Sequence, residues 1–293
     1  MSIHCVGIVA KSRLQAATPH LVDVERWLAS RGVAAIFETA TAALMPHDGT
    51  RRILDKQPLV RDVGLVLVLG GDGTLLSMAD CIGRAGVNVP ILGVNFGSLG
   101  FLTEVTLPEL YPALDAALAG RANVEDRLML RSTVTRASGP PSTEIAVNDV
   151  VVNKGARSRL IELSISVGDG LVTTVRADGL IIATPTGSTA YNLAAGGPIV
   201  QPSVDALVLT PIAPHTLTNR PIVIPSSSSV RVAPVMLGER DEVFVTFDGQ
   251  ADCQLHAGDE ITVCRASDPM RLVRPATRSY FEVLREKLNW GKR

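Results

Sequence analysis

From residue 3 onward, aliphatic side chains come in short dense runs broken by polar turns, and the period of those runs changes once along the chain. Ile3 to Val9 predicts a buried strand. Thr18-Pro19 follows as N-cap and first-turn proline of a helix whose Leu21, Val24 and Leu28 share one face, and Gly32 stops it. Val33 to Phe37 predicts a second strand, and the polar stretch from His47 to Asp62 predicts a loop with one short helix. Val63 to Leu69 is nearly continuous aliphatic sequence, the signature of a strand covered on both faces. A helix over about Leu75–Gly83 and a short strand over Pro90–Val94 come next. Thr106 then caps a further helix, with Pro108 in its first turn and Gly120 past its end. Strand–helix alternation of this kind argues a parallel sheet flanked by helices.

From Leu128 the period becomes two. Ile161, Leu163, Ile165 and Val167 alternate with Glu162, Ser164 and Ser166, and Asp169-Gly170 supplies a hairpin turn. Further β-like runs at Leu180–Ala183, Leu207–Thr210, Pro221–Ile224, Val230–Ala233, Val243–Phe247 and Ile261–Val263 are separated by Gly, Pro and Ser clusters. Ser279 and Glu282 form a capping box ahead of a last helix carrying Phe281, Leu284 and Leu288 on one side. The expected architecture is an α/β N-terminal domain with a parallel sheet and flanking helices over residues 1–124. A β-rich domain follows over 125–275, and a C-terminal helix over 276–293 packs back on the first domain.

Composition narrows the class. The chain has 293 residues, 46% hydrophobic and 19% charged, enough apolar surface to offset the entropy of ordering. Its 28 basic and 29 acidic residues leave a formal charge of −1, with no overall field to steer it to nucleic acid or an anionic membrane. The longest central apolar stretch, Val63 to Gly71, is about half of a membrane-spanning helix. Ile3 to Ala10 precede Lys11 and Arg13, the reverse of a signal peptide's order. Cys5, Cys81, Cys253 and Cys264 have no ligand or disulfide spacing and are expected as free thiols in a reducing cytoplasm.

Four segments carry candidate chemistry. Leu69-Gly70-Gly71-Asp72-Gly73-Thr74 joins the strongest strand to a helix, where open α/β sheets place their ligands. Its glycines suit a sharp turn and close approach of phosphates, and no Lys follows them as in a Walker loop. Phosphates repel a carboxylate, so Asp72 calls for a role that outweighs the repulsion. It could accept a hydroxyl proton, hold a phosphate-bound metal, or cap the helix. Gly93 to Phe101 is a second strand entering a glycine-rich loop, with Asn95 and Phe101 as contacts or as structural loop residues. Asn148-Asp149 would reach one ligand together only where a strand bulges or ends. In the fourth segment Arg176-Ala177-Asp178-Gly179 and an aliphatic strand lead to Thr184-Pro185-Thr186-Gly187-Ser188-Thr189-Ala190-Tyr191-Asn192, opening a short helix. Such a helix start suits an anionic or polyhydroxylated ligand. Asp178 would accept ribose hydroxyls or pair with Arg176.

Together, GGDGT (Gly70–Thr74), NFGSLGFLTE (Asn95–Glu104), ND (Asn148–Asp149), DGLIIATPTGSTAYNLAAGGP (Asp178–Pro198), PHTLTNRP (Pro214–Pro221) and DGQ (Asp248–Gln250) resemble the bacterial NAD kinases. The resemblance spans nearly the whole chain. GGDGT alone is shared with diacylglycerol kinase-like and phosphofructokinase-like enzymes, whereas its combination with TPTGSTAY is specific. Asp149 stands where Glu is frequent, and Asn192 where Ser is frequent. The resemblance implies NAD in a crevice between the two domains, with Asp72 as general base for the 2′-hydroxyl of the adenosine ribose. Asp72, Gly73, Phe101, Asn148, Asp149, Arg159, Arg176, Asp178, Thr189, Ala190, Tyr191, Asn192, Leu193, Ala194 and Gln250 are the implied NAD-binding residues, although a plain Asp248-Gly249 hairpin turn also accounts for the last segment. Gly70, Gly71, Gly73, Thr74 and Asn95 are those expected at the donor phosphates. The donor is ATP or polyphosphate. Mg²⁺ or another divalent cation is expected to bind through the donor phosphates, with no site built by the protein alone. A cytoplasmic homodimer or homotetramer, with neither nucleic acid nor membrane as partner, completes the expectation. The competing readings are a lipid (diacylglycerol-type) kinase and a non-catalytic NAD(P)-binding regulator.

Overall fold

The computed structural model describes residues 3–97, 99–155, 160–235, 242–275 and 277–291. The chain divides into two compact units, Met1–Asp126 with Met270–Arg293, and Arg127–Pro269.

The first unit contains strands β1 (Cys5–Ala10), β2 (Ala34–Glu38), β3 (Arg52–Leu54), β4 (Leu65–Gly70), β5 (Ile91–Asn95), β6 (Val105–Thr106) and β7 (Asn123–Arg127). Helices α1 (Thr18–Ala29), α2 (Thr39–Ala42), α3 (Lys56–Asp62), α4 (Asp72–Ala85) and α5 (Leu110–Leu118) connect them. β1 to β5 are paired in parallel in the order β3-β2-β1-β4-β5. All six residues of β4 are buried, as its uninterrupted aliphatic sequence requires of a strand covered on both faces. Leu21, Val24 and Leu28 of α1 join Val6, Ile8, Leu65 and Leu67 in one core.

Several local expectations change. Thr18 is the first residue of α1 rather than its cap; its hydroxyl donates instead to Leu44 O at 2.9 Å. The polar stretch 47–62 holds both β3 and α3. Helix α4 begins three residues before the expected start, because Gly71 is its N-cap and Asp72-Gly73-Thr74 form its first turn.

The second unit is a sandwich of two six-stranded sheets, antiparallel in every assigned pair. Its strands are β8 (Leu130–Thr135), β9 (Ser142–Ala146), β10 (Asp149–Lys154), β11 (Ile161–Val167), β12 (Gly170–Ala177) and β13 (Gly179–Ala183), followed by β14 (Ala206–Ile212), β15 (Ile222–Pro225), β16 (Val230–Val235), β17 (Val243–Phe247), β18 (Ala251–Leu255) and β19 (Glu260–Arg265). One sheet runs β15-β14-β13-β10-β17-β18 and the other β12-β11-β16-β19-β8-β9. Val150, Val152, Leu180 and Ile182 from the first meet Leu163, Ile165, Val232 and Ile261 from the second in a shared core. The period-two pattern thus marks strands with one face in the core.

Strand β20 (Met270–Arg274) leaves this sandwich and pairs in parallel with β5. Its placement differs from the sequence expectation, in which the β-rich domain runs to residue 275. The physical tie is an ion pair: Arg274 Nη2 lies 2.7 Å from Glu104 Oε2 and Nη1 lies 3.0 Å from Glu125 Oε2. Arg278 adds a bond to Glu104 O at 2.9 Å. Helix α6 (Tyr191–Ala194) is a single turn in the second unit, and α7 (Tyr280–Lys287) carries the expected Ser279–Glu282 capping box.

Removing one partner of a buried pair leaves the other charge uncompensated, at a cost of about 3–5 kcal/mol. Glu104 is 2% exposed. Arg274→Met should therefore lower the urea midpoint read by tryptophan fluorescence, since Trp27 and Trp290 both lie in the first unit. The double variant with Glu104→Gln should recover part of the loss.

Candidate functional site

Strand β4 ends at Gly70, Gly71 is extended at φ −114°, and Asp72 opens α4. The carboxylate of Asp72 does not cap its own helix. It reaches the loop after β5, where Oδ2 accepts from Phe101 N at 2.8 Å. Oδ1 accepts from Leu102 N at 3.1 Å, Thr103 N at 2.9 Å and Thr103 Oγ1 at 2.9 Å. An ionised carboxylate offers about four acceptor positions. Three donors crowd Oδ1 and one meets Oδ2, so Oδ2 is the oxygen with capacity for a further hydrogen bond.

The loop is shaped for this grip. Asn95 Nδ2 donates to Thr103 Oγ1 at 3.2 Å and Gly100 N to Thr103 O at 3.3 Å. A Cβ at Gly100 would lie 2.1 Å from Asp72 Oδ1, so this position admits only glycine without displacing the carboxylate. Asn95, expected at the donor phosphates, has its amide turned to this loop. Phe101 is half-buried, with Lys287 Nζ of α7 5.7 Å from its ring centroid. The chain turns from β4 into α4 across the single residue Gly71, and Gly70, Gly71 and Gly73 all do so without positive φ.

In the second unit, three separate stretches meet at one end of a sheet because β10 lies between β13 and β17. Asp149 pairs with Ala183 and Val150 with Phe247. Asn148 stands just before β10, so the strand begins between the two residues and their side chains need not obey strand alternation. The turn after β13 is locked onto this start. Thr184 N donates to Asn148 O at 2.9 Å and Thr184 Oγ1 to Val147 O at 2.6 Å, while a Cβ on Gly187 would lie 2.0 Å from Asn148 O. From the other side Asp248, at φ 51°, accepts Val147 N at 2.8 Å, Asn148 N at 2.7 Å and Asp149 N at 3.1 Å. The Asp248-Gly249 hairpin turn is thus present and also shapes the site. Aspartate tolerance of positive φ before glycine is its only sequence signal. Gln250 is exposed beside it.

Thr189, Ala190 and Leu193 are half-buried, and Tyr191 and Ala194 are exposed. Asn192 is fully buried. Its Nδ2 donates to Ser188 O and Pro198 O, both at 3.0 Å, and its Oδ1 accepts Thr210 Oγ1 at 2.6 Å. Its side chain therefore holds the turn. The 184–192 segment forms a 3₁₀ turn at Gly187–Thr189 and then the single-turn α6, the short helix read from its sequence. Arg176 and Asp178 do not pair: Arg176 Nε meets Glu162 Oε2 at 3.1 Å across the β11–β12 ladder, and Asp178 Oδ1 meets Lys154 Nζ at 2.7 Å. Arg159 lies outside the described residues.

Asp149 is 4% exposed. Burial, and next the neighbouring Asp248 charge, push its carboxyl from 3.8 up to about 7. Such a group can donate as well as accept near neutral pH, which suits sugar hydroxyls or an amide.

A model of the ATP-NAD kinase N-terminal domain matches residues 6–122, and one of the ATP-NAD kinase C-terminal domain matches 147–275. An NAD kinase of Geobacter sulfurreducens is 49% identical over 268 residues, 91% of this chain and 92% of that protein. One from Geotalea daltonii is 46% identical over 271 residues, covering 92% and 93%. Among solved structures, yeast NADH kinase complexed with NADH matches with a TM-score of 0.90 at 28% identity, over 100% of this chain and 89% of that one. An Archaeoglobus fulgidus NAD kinase in complex with ATP shares the fold, with a TM-score of 0.75 at 24% identity, covering 96% and 99%.

The Asp149 environment has a signed consequence. Between pH 3.8 and about 7 the folded chain keeps a proton that the unfolded chain has released, so stability from this group is complete below that interval and lost through it. Relative to Asp149→Asn, the wild type should lose roughly 3 kcal/mol between pH 5 and pH 8. Urea unfolding by circular dichroism at the two pH values reads this difference. Parallel changes in the two proteins would contradict it.

Proposed function

The chain belongs to the ATP-NAD kinase family and is an enzyme that phosphorylates NAD with ATP as donor, and we propose that Asp72 is its catalytic base. A ribose hydroxyl is a poor nucleophile at neutral pH and the transferred group is highly charged, so the reaction calls for in-line positioning and a proton acceptor. In the proposed step the 2′-oxygen of the adenosine ribose bonds to the γ-phosphorus. The bond from that phosphorus to the β–γ bridging oxygen breaks, ADP leaves with the electron pair, and the hydroxyl proton passes to Asp72 Oδ2. The observation that carries this role is the four-bonded grip on Asp72, which fixes the carboxylate while leaving capacity on Oδ2.

The remaining assignments are proposals of the same kind. Gly70, Gly71, Gly73 and Thr74 hold the donor phosphates, and Asn95 positions the loop that grips the base. Gly73, Phe101, Asn148, Asp149, Arg159, Arg176, Asp178, Gln250 and the 189–194 turn receive NAD. Among the described residues no group of three or more His, Cys, Asp or Glu side chains is placed to hold a metal ion. Mg²⁺ enters this reading as part of the donor, where it neutralises phosphate charge. The lipid-kinase and regulator readings find no support in the likenesses above. Four cysteines without disulfide partners favour a reducing cytoplasm. The open edges of the two sheets at β12 and β15, among the described residues, are the features that a homodimer or homotetramer would use.

Asp72→Asn keeps the side chain's shape and removes its basicity. NADP⁺ formation, scored with an NADP⁺-specific dehydrogenase, should fall about 10²–10⁴-fold while circular dichroism stays native. Near-normal turnover by the folded variant would remove Asp72 from this role. Analytical ultracentrifugation should return two or four copies per particle, and a monomer at all concentrations would oppose the assembly proposed.

A further inference from the structure

The strand order β3-β2-β1-β4-β5 contains a reversal. The chain leaves β1 toward β2 and leaves β4 toward β5, so the crossovers diverge between two adjacent strands. Outside the carboxyl ends of β1 and β4, open α/β sheets form a crevice for ligands. Here that crevice is a cleft of about 380 Å³, lined by Lys11 and Ser12 after β1, Lys56 at the start of α3, and Gly71, Gly73 and Thr74 at the start of α4.

Its chemistry is cationic. Lys11 is pinned at the cleft by its backbone, whose N–H donates to Leu69 O at 2.9 Å, while its side chain is exposed and makes no ion pair among the described residues. Lys56 Nζ donates to Ser77 Oγ at 2.6 Å, a neutral partner that orients the ammonium without neutralising it. The start of α4 adds the positive end of a fourteen-residue helix. One carboxylate lines the cleft, that of Glu38, and its Oε2 is occupied by Thr41 N and Thr41 Oγ1, both at 2.9 Å. The two glycines point the same way. Neither Gly71 nor Gly73 has positive φ, and a Cβ on either would meet nothing within 4 Å. Among the described residues no steric contact requires glycine at either position, whereas a ligand lying against bare backbone does.

We propose that Lys11, with Lys56 across the cleft, grips the polyphosphate chain of the phosphoryl donor. The proposal deepens the kinase reading and rests on it. Asp72 stands between the two glycines of the cleft and turns its carboxylate the other way, to the 101–103 loop. Base and donor phosphates thus occupy opposite sides of one turn. ATP and inorganic polyphosphate share the recognised chemistry, and kinetics with each as donor separates them.

The test is steady-state kinetics of wild type, Lys11→Met, Lys11→Arg and Lys56→Met, together with calorimetric titration of inorganic tripolyphosphate. Losing one charge-assisted contact should raise KM for ATP about tenfold or more in Lys11→Met and leave KM for NAD unchanged. Tripolyphosphate affinity should fall in parallel, Lys11→Arg should keep most of both, and Lys56→Met should act in the same direction. The proposal is overturned if KM for NAD rises instead, or if Lys11→Met and Lys56→Met leave both donor KM and tripolyphosphate affinity unchanged. A wild type that binds tripolyphosphate in a Lys11-dependent way but makes no NADP⁺ would defeat the kinase reading and leave the cleft assignment standing.

Discussion

A carboxylate on the first turn of a helix has an easy use, which is to satisfy the N–H groups of that same turn. Asp72 forgoes it. Its two oxygens instead collect the N–H groups of three consecutive residues, 101 to 103, and one hydroxyl from a loop about thirty positions further on. Several features of the first unit hold that arrangement in place. Gly100 must lack a side chain, Asn95 must brace Thr103, and the chain must return at its far end so that Arg274 and Arg278 tie down Glu104 directly after the loop. The C-terminal segment is in this sense a strut for the acid at position 72.

The second unit solves a related problem by different means. Three stretches far apart in sequence must present one polar surface, and the sheet order brings their ends together at β13, β10 and β17. Backbone contacts then fix them: Gly187 lies directly on Asn148, and Asp248 gathers the N–H groups of residues 147 to 149. Burying Asp149 beside Asp248 costs stability near neutral pH, and a carboxyl able to hold or release its proton there is the return.

Much of this is legible in the chain itself, for identifiable reasons. An aliphatic run such as that of β4 has no stable place except between two covering layers, and period-two alternation in Ile161–Val167 admits one buried face. Motif order identifies the family because turn glycines, hydroxyls and carboxylates recur at fixed spacing. Long-range partnerships are not legible. Nothing in the local sequence around Asn192 shows that its side chain is buried and braced by partners at 188, 198 and 210. Arg176 and Asp178 share a strand face in sequence, yet pairing registers give each a different partner. Lys11 carries no motif at all. Its place at the cleft comes from the order of strands in the sheet, which no local spacing encodes.

The central claim is that the free capacity of Asp72 Oδ2 is directed at the accepting sugar. A crystal structure of the protein with NAD bound measures this directly. The account predicts the adenosine 2′-hydroxyl within hydrogen-bond reach of Oδ2, about 2.6–3.2 Å, with the 101–103 bonds intact. A 2′-hydroxyl far from that oxygen, or a carboxylate released from the loop and turned to solvent, would contradict it.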